Sequence, residues 1–327
     1  MHTSRRAFIK QAGLGAVGAL LSNSLLSACS GSKSIKGDNP LANIGLQLFT
    51  LRDLLFSDAK TTLETISKIG YSHIETFGLD LNSNSFWGLE LLDLKKIMDD
   101  NNLKTYSGHY DMSKYLSKNH SDKESIEKYV EVAAALGQKY IIAPTNPMFD
   151  LNALTSDDYK YAAEQLNKAG EAAKKAGIKV GYHNHFWELR QFGNTTRGLD
   201  ILLAFTEKDL VAFELDIFWL EKAGFSALTY FEKYPGRFEL WHVKDMDRNF
   251  TKPIVGGDYD DMPLDSIFKE VRYTEVGTGT IDYLNITQEK TKAGLQYAFV
   301  EQDDIYVANK FESVKKSYDY VQKFLTK

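Results

Sequence analysis

The chain has 327 residues, a net charge of −5 and a single cysteine. Its charged residues mix both signs, which excludes the basic footprint of a nucleic-acid-binding protein. One cysteine excludes an intrachain disulfide, so the fold must be held by its core. Aromatic residues, at 13% of the chain, can supply such a core, and they also suit a sugar-binding role.

Residues 1–29 read as a signal peptide. "TSRRAFIK" sets paired arginines before a short, glycine-rich apolar run that is too short for a comfortable membrane span. The arginine pair resembles a twin-arginine export signal, and "LSAC", ending at Cys29, resembles a lipobox. These segments predict an exported, periplasmic or envelope-anchored lipoprotein that touches the membrane only through a lipidated Cys29. Residues 30–42 then read as a flexible tether, and residues 43–327 as one domain.

Beyond the tether, short β-branched or aromatic runs alternate with helical patterns. The predicted strands are "NIGLQLF", "HIETF", "KTYSGH", "KYIIAP", "KVGYH", "LVAFELD", "FELWHVK" and "YAFVEQ". Between them lie helical periodicities such as "DAKTTLETISKIG", "LELLDLKKIMDDNN" and "SIEKYVEVAAALG", with a long helix from about Thr155 to Ala176. Gly70, Gly137 and Gly177 act as stops. A last helix, "NKFESVKKSYDYVQKFL", closes the chain. Eight β-then-α units in one domain specify a barrel or a doubly wound sheet. "TLRDLLFSD" follows the first strand where a dinucleotide-binding sheet would carry a glycine-rich fingerprint. The fold class is therefore α/β, a single (β/α)8 TIM barrel.

In such a barrel the C-terminal strand ends face the active site. Here they turn polar together: Glu75, His109, His183 with Asn184 and His185, Asp216, His242 with Lys244 and Asp245, and Glu301 with Gln302 and Asp303. Each has a plain alternative on its own, as a helix cap, an interior hydrogen-bonding group or an ion-pair partner. Those alternatives would have to hold separately on strand after strand. Asp, His and Glu together suit one borderline divalent ion, Mn, Co or Zn. With no thiolate, a cysteine-type structural zinc site is excluded.

The segments "GYHNHFWEL", "FELDIFWL", "LWHVKD", "EVGTGTID" and "VEQD" resemble the xylose isomerase-like barrel superfamily of sugar isomerases and epimerases. The resemblance implies one metal held from strands five to eight. Asp216, His242 and Glu301 match the last three ligands. Strand five carries His183 where the family has Glu, with His185 and Glu188 as alternatives. The substitution weakens a two-glutamate epimerase mechanism, in which the strand-five Glu is also a base.

The chemistry implied is proton transfer next to a carbonyl, with a metal as Lewis acid and a nearby base. Glu301 would both ligate and accept a proton, with His183, His185 and Glu75 as other bases and Lys244 as a donor to a substrate oxygen. Gln47, His109 and Glu188 would contact substrate, and Trp187 and Trp219 would stack on a sugar. Reprotonation on carbon makes the protein an isomerase or epimerase. Loss of a β-substituent makes it a 3-keto-glycoside lyase or hydratase. A sugar-binding lipoprotein without catalysis is the remaining expectation. Export and the lack of a basic clamp favour an unphosphorylated sugar or glycoside, and family members are often homo-oligomers.

Overall fold

The computed structural model describes residues 39–144, 154–192 and 196–327. The expected signal, Cys29 and most of the expected tether lie outside them. Eight parallel strands close into a barrel: β1 (Gly45–Gln47), β2 (His73–Thr76), β3 (Lys104–His109), β4 (Tyr140–Ala143), β5 (Lys179–His183), β6 (Val211–Asp216), β7 (Leu240–Val243) and β8 (Tyr297–Val300). Each pairs with its sequence neighbours, and β1 closes the ring on β8. The strands lie inside the runs predicted from sequence, mostly shortened at the ends.

The outer helices begin and end where local chemistry requires. α1 spans Arg52–Ile69, α2 Leu91–Asp100, α3 Ile126–Leu136 and α4 Ser156–Lys174. Ser125 caps α3 by accepting from the Lys128 N–H, and Gly137 ends it with φ 79°, a conformation that favours glycine. Thr155 and Asp158 form a reciprocal capping box at α4. Leu89 and Glu90, expected in the second helix, instead pair with Ser85–Phe86 in a small antiparallel sheet.

The barrel domain also starts earlier than expected. The Asn39 side chain accepts from the Leu41 N–H and its amide donates to the Thr326 carbonyl at 2.9 Å. Leu41 is fully buried, in a 3-10 turn, Pro40–Asn43, packed against β8. Residues 39–42 are thus part of the fold and not of a tether.

Side chains alternate along a strand, so every second residue points into the barrel. The lower interior is apolar: Tyr140, Ile142, Ala212, Leu240 and Phe299 fill it. Gly45 and Gly181 make room there, because a Cβ would strike Phe299 at the first and Ile142 at the second. Burying each large side chain contributes about 1.5–3 kcal/mol. Above this plug the same parity carries charge, with Glu214 and Asp216 after Ala212, and His242 and Lys244 after Leu240. The apolar plug positions the site by closing one end of the barrel.

The segment between β7 and β8 is the largest excursion on the site face. The Asp245 carboxylate accepts N–H groups from Met246, Gly277, Gly279 and Ile281. Gly279 lies so close that a Cβ would meet the Asp245 carboxylate. Asp245, a polar strand-end residue, therefore organises this segment and is not open to a ligand. The segment carries Phe268, Val271 and Tyr273 to the barrel mouth.

Candidate active site

Two layers of polar side chains fill the upper barrel. In the lower one, Glu75 accepts from Gln47 Nε2 at 2.7 Å, from Ser107 Oγ, and lies 2.7 Å from His242 Nε2. Glu214 Oε2 lies 2.7 Å from His109 Nε2, 3.2 Å from His183 Nδ1 and 3.1 Å from His242 Nε2. In the upper layer, His183, Asp216, His242 and Glu301 bring one ligand atom each to within 4.8 Å of one another. All four are buried.

The imidazoles connect the layers. His183 turns Nδ1 down to Glu214 and Nε2 up to Asp216 Oδ2, at 3.6 Å. His242 turns Nε2 down to Glu75 and Glu214, and Nδ1 up to Glu301 Oε2, at 2.6 Å. His242 Nδ1 is buried and has no hydrogen-bond partner despite that approach. An imidazole nitrogen and a carboxylate oxygen this close would suit two ligands converging on one ion. His109, His183, Glu214 and His242 form a second possible ligand group. It shares both imidazoles with the upper group, and each ring has one nitrogen per layer. For His242, Glu75 in the lower layer would then be the outer partner that fixes ring orientation and tautomer.

Asp216 is fixed by its backbone role. Its Oδ1 accepts the Trp219 N–H at 2.9 Å and caps the short helix α5 (Ile217–Lys222), which leaves Oδ2 to the cluster. A cap role and a ligand role would therefore fall on different oxygens.

Burial opposes the charge on His242, but the Glu214 and Glu301 carboxylates outweigh it and hold the ring well above its ordinary value, so binding an ion through it would release a proton. Burial, with the charge of His242 adding to it, pushes His183 down to about 3, so its ring is neutral and able to ligate. Burial raises Asp216 to about 6. Burial also opposes the charge on Glu301, but Lys244 and His242 outweigh it and hold the carboxyl well below its ordinary value. Burial raises Glu75, and the Glu214 carboxylate beside it pushes the same way.

A cavity of about 560 Å³ opens above the cluster, with His109, His183, His185, Lys244 and Glu301 at its polar end. Lys244 Nζ lies 2.8 Å from Asp216 Oδ2, 2.6 Å from Glu301 Oε2 and 2.7 Å from Asp303 Oδ1. Tyr273 donates to Asp303 at 2.6 Å. The His185 ring stacks on Trp187 at 4.2 Å, and its Nδ1 is buried without a partner. Burial, with His183 adding to it, holds His185 well below its ordinary value.

Several expected site residues lie elsewhere. Gln47 is buried with its amide spent on Glu75 and its Oε1 on the Phe49 N–H, so it is a scaffold for Glu75 and not a substrate contact. Glu75 sits in the lower layer with both oxygens engaged, away from the position of a base. Glu188 accepts from Tyr182 Oη, Trp187 Nε1 and the His185 N–H, and is fully buried. It is neither a ligand nor a substrate contact, but it holds the turn that aims His185. Trp187 and Trp219 are buried behind His185 and do not line the cavity. Glu214 was not among the expected residues. Its signal was present: it lies two residues before Asp216, on the same inward parity.

The comparisons with known proteins agree with this architecture. The family model of the xylose isomerase-like TIM barrel matches residues 63–299. The chain belongs to the xylose isomerase-like TIM barrel family. A sugar phosphate isomerase/epimerase from Parabacteroides distasonis has a similar structure. Its TM-score is 0.70, with 27% identity over 87% of this chain and 95% of that one. An inosose dehydratase of Clostridium perfringens is 29% identical over 180 residues. That match covers 54% of this chain and 58% of the relative, little more than half of its length. An inosose dehydratase of Clostridium botulinum is 28% identical over 249 residues, covering 70% of this chain and 79% of the relative.

Proposed function

We propose that the protein is a divalent-metal-dependent enzyme acting on an unphosphorylated sugar derivative. It takes a proton from the carbon beside a carbonyl and expels the substituent on the next carbon. The observation that carries this reading is the floor of the cavity. There a four-residue ligand set stands beside one neutral imidazole, His185, and one ammonium, Lys244. One base and one acid suit an elimination, whereas a family epimerase uses two carboxylate bases.

His183, Asp216, His242 and Glu301 would hold the ion. When bound, it supplies a Lewis acid that stabilises negative charge on the carbonyl oxygen. The chain's own residues do the rest. His185, whose ring lines the cavity, takes the α-proton. The C–H pair becomes the new C=C bond, and the β C–O bond breaks with its pair on oxygen. Lys244 delivers a proton to that oxygen, leaving an enone and an alcohol or water. His109 and Glu301, which also line the cavity, contact the substrate's other oxygens.

Two further observations support the substrate class. Arg52 and Lys244, the Arg and Lys side chains lining the cavity among the described residues, are both taken up by carboxylates. Arg52 pairs with Asp304 at 2.7 Å, and Lys244 with Asp216, Glu301 and Asp303. The carboxylates beside both cations would repel a phosphate. The two relatives are named inosose dehydratases, and a dehydratase removes water from its substrate.

Isomerisation or epimerisation is the second reading. It starts with the same proton abstraction and is favoured by the name of the Parabacteroides structure. Incubating the metal-loaded protein with a 3-keto-glycoside in deuterated water separates the readings. An ultraviolet-absorbing enone with release of the aglycone is the expected result. A deuterated epimer with no enone would contradict it.

A further inference from the structure

The polar end of the cavity accounts for a sugar, but the mouth has a different chemistry. Phe49, Phe77, Phe268, Tyr273 and Tyr306 all line it. Nine large hydrophobic residues are exposed among the described residues, and three of them, Phe49, Phe268 and Tyr306, are in this one cavity. Scattered exposed hydrophobics need no explanation, but aromatics gathered on one concave surface mark a binding site.

The rings are braced. Phe49 meets Phe77 edge to face at 5.3 Å, and the Arg52 guanidinium lies 4.4 Å from the Phe49 ring centre. Arg52 is itself anchored by the Asp303 carbonyl and by Asp304. Beyond β8, Tyr306 carries the Arg272 guanidinium at 4.1 Å. These rings are thus held in place while exposed to the cavity. The volume of about 560 Å³ also falls within the range of sites that bury a drug-sized molecule, about 300–1,000 Å³.

We propose that the mouth is a subsite for a planar apolar aglycone, so that the substrate is an aryl glycoside whose sugar reaches the His185–Lys244 floor. This rests on the elimination reading above and names the group expelled: an aryl oxygen. Such a group leaves with its electron pair more readily than water or an alkyl alcohol. It asks less of Lys244, whose ammonium is already held by three carboxylates.

The test is binding by calorimetry to the full chain, with phenyl β-glucoside, methyl β-glucoside and a glucosyl-glucose disaccharide as probes. The phenyl glycoside is expected to bind about tenfold more tightly than the methyl one. Phe268→Ala should bring that ratio close to one while the methyl glycoside keeps its affinity. Because Phe268 is partly exposed, the variant is expected to fold, and circular dichroism checks this. Phe77→Ala provides an independent second variant. Equal affinity of phenyl and methyl glycosides would overturn the subsite, as would no binding of either. A disaccharide that gains as much as the phenyl compound would assign the mouth to a second sugar. Failure of the elimination reading is seen separately, as absence of enone from a 3-keto-glycoside that binds.

Discussion

Glu75 on β2 and His242 on β7 face each other across the barrel interior, with Oε2 2.7 Å from Nε2. The opposite nitrogen of the same ring faces Glu301 and Asp216. One imidazole thus joins an inner carboxylate to the outer ligand cluster. Such a carboxylate–histidine arrangement would orient His242 as a metal ligand and raise its basicity.

Glu75→Gln should weaken metal affinity by about 10–100-fold while the protein stays folded. The amide oxygen can still accept from His242, but it brings no charge. Competition with a fluorescent zinc chelator measures the constant. Unchanged affinity would show that Glu75 is only packing.

The Glu188 carboxyl predicts a pH dependence of stability. Burial pushes it up to about 7, although Tyr182, the His185 N–H and Trp187 donate to it. Its folded value lies above its unfolded one, so the folded state binds the proton more tightly. Stability from this group is fully present below about pH 4.5 and is lost as pH rises through about 7. The full difference is about 3 kcal/mol. Denaturant unfolding at pH 5 and 8 should therefore show wild type losing stability relative to Glu188→Gln. A constant difference between the two proteins would sink the assignment.

Leu41→Ala should destabilise the domain by about 2–5 kcal/mol, because the side chain is fully buried beneath the barrel. Thermal unfolding checks this. A loss below about 0.5 kcal/mol is what a tether residue would give.

Trp219→Phe tests whether the indole lies behind His185 or stacks on a sugar. Trp219 is buried with its indole N–H unpartnered, so the smaller ring loses no hydrogen bond. KM for a turned-over glycoside should stay within about twofold of wild type, with a stability cost of about 1–3 kcal/mol from the cavity left by the smaller ring. A large rise in KM at unchanged stability would return Trp219 to the substrate site.

The barrel was legible because strand and helix periods differ, and because eight alternations leave few architectures. The gathering of His183, Asp216, His242 and Glu301 was legible because strand ends in a barrel share one level, and the family resemblance pointed to these four as a ligand group. The second ring of residues was less so. Gln47, Glu188, Trp187 and Trp219 are near the site in sequence, but hydrogen bonds and tight turns that no period encodes draw them behind it. Trp187, for example, folds back in a 3-10 turn onto His185. The aromatic mouth was least legible. Phe268 and Tyr273 come from the segment between β7 and β8, which Asp245 shapes through four backbone N–H groups.

The most direct test is the metal content of the purified protein, by elemental analysis, for wild type and His242→Ala. About one Mn, Co or Zn ion per chain is expected in wild type and is lost in the variant, with the variant's fold confirmed by circular dichroism. Wild type without metal, even after incubation with each ion, would contradict the site and the chemistry built on it.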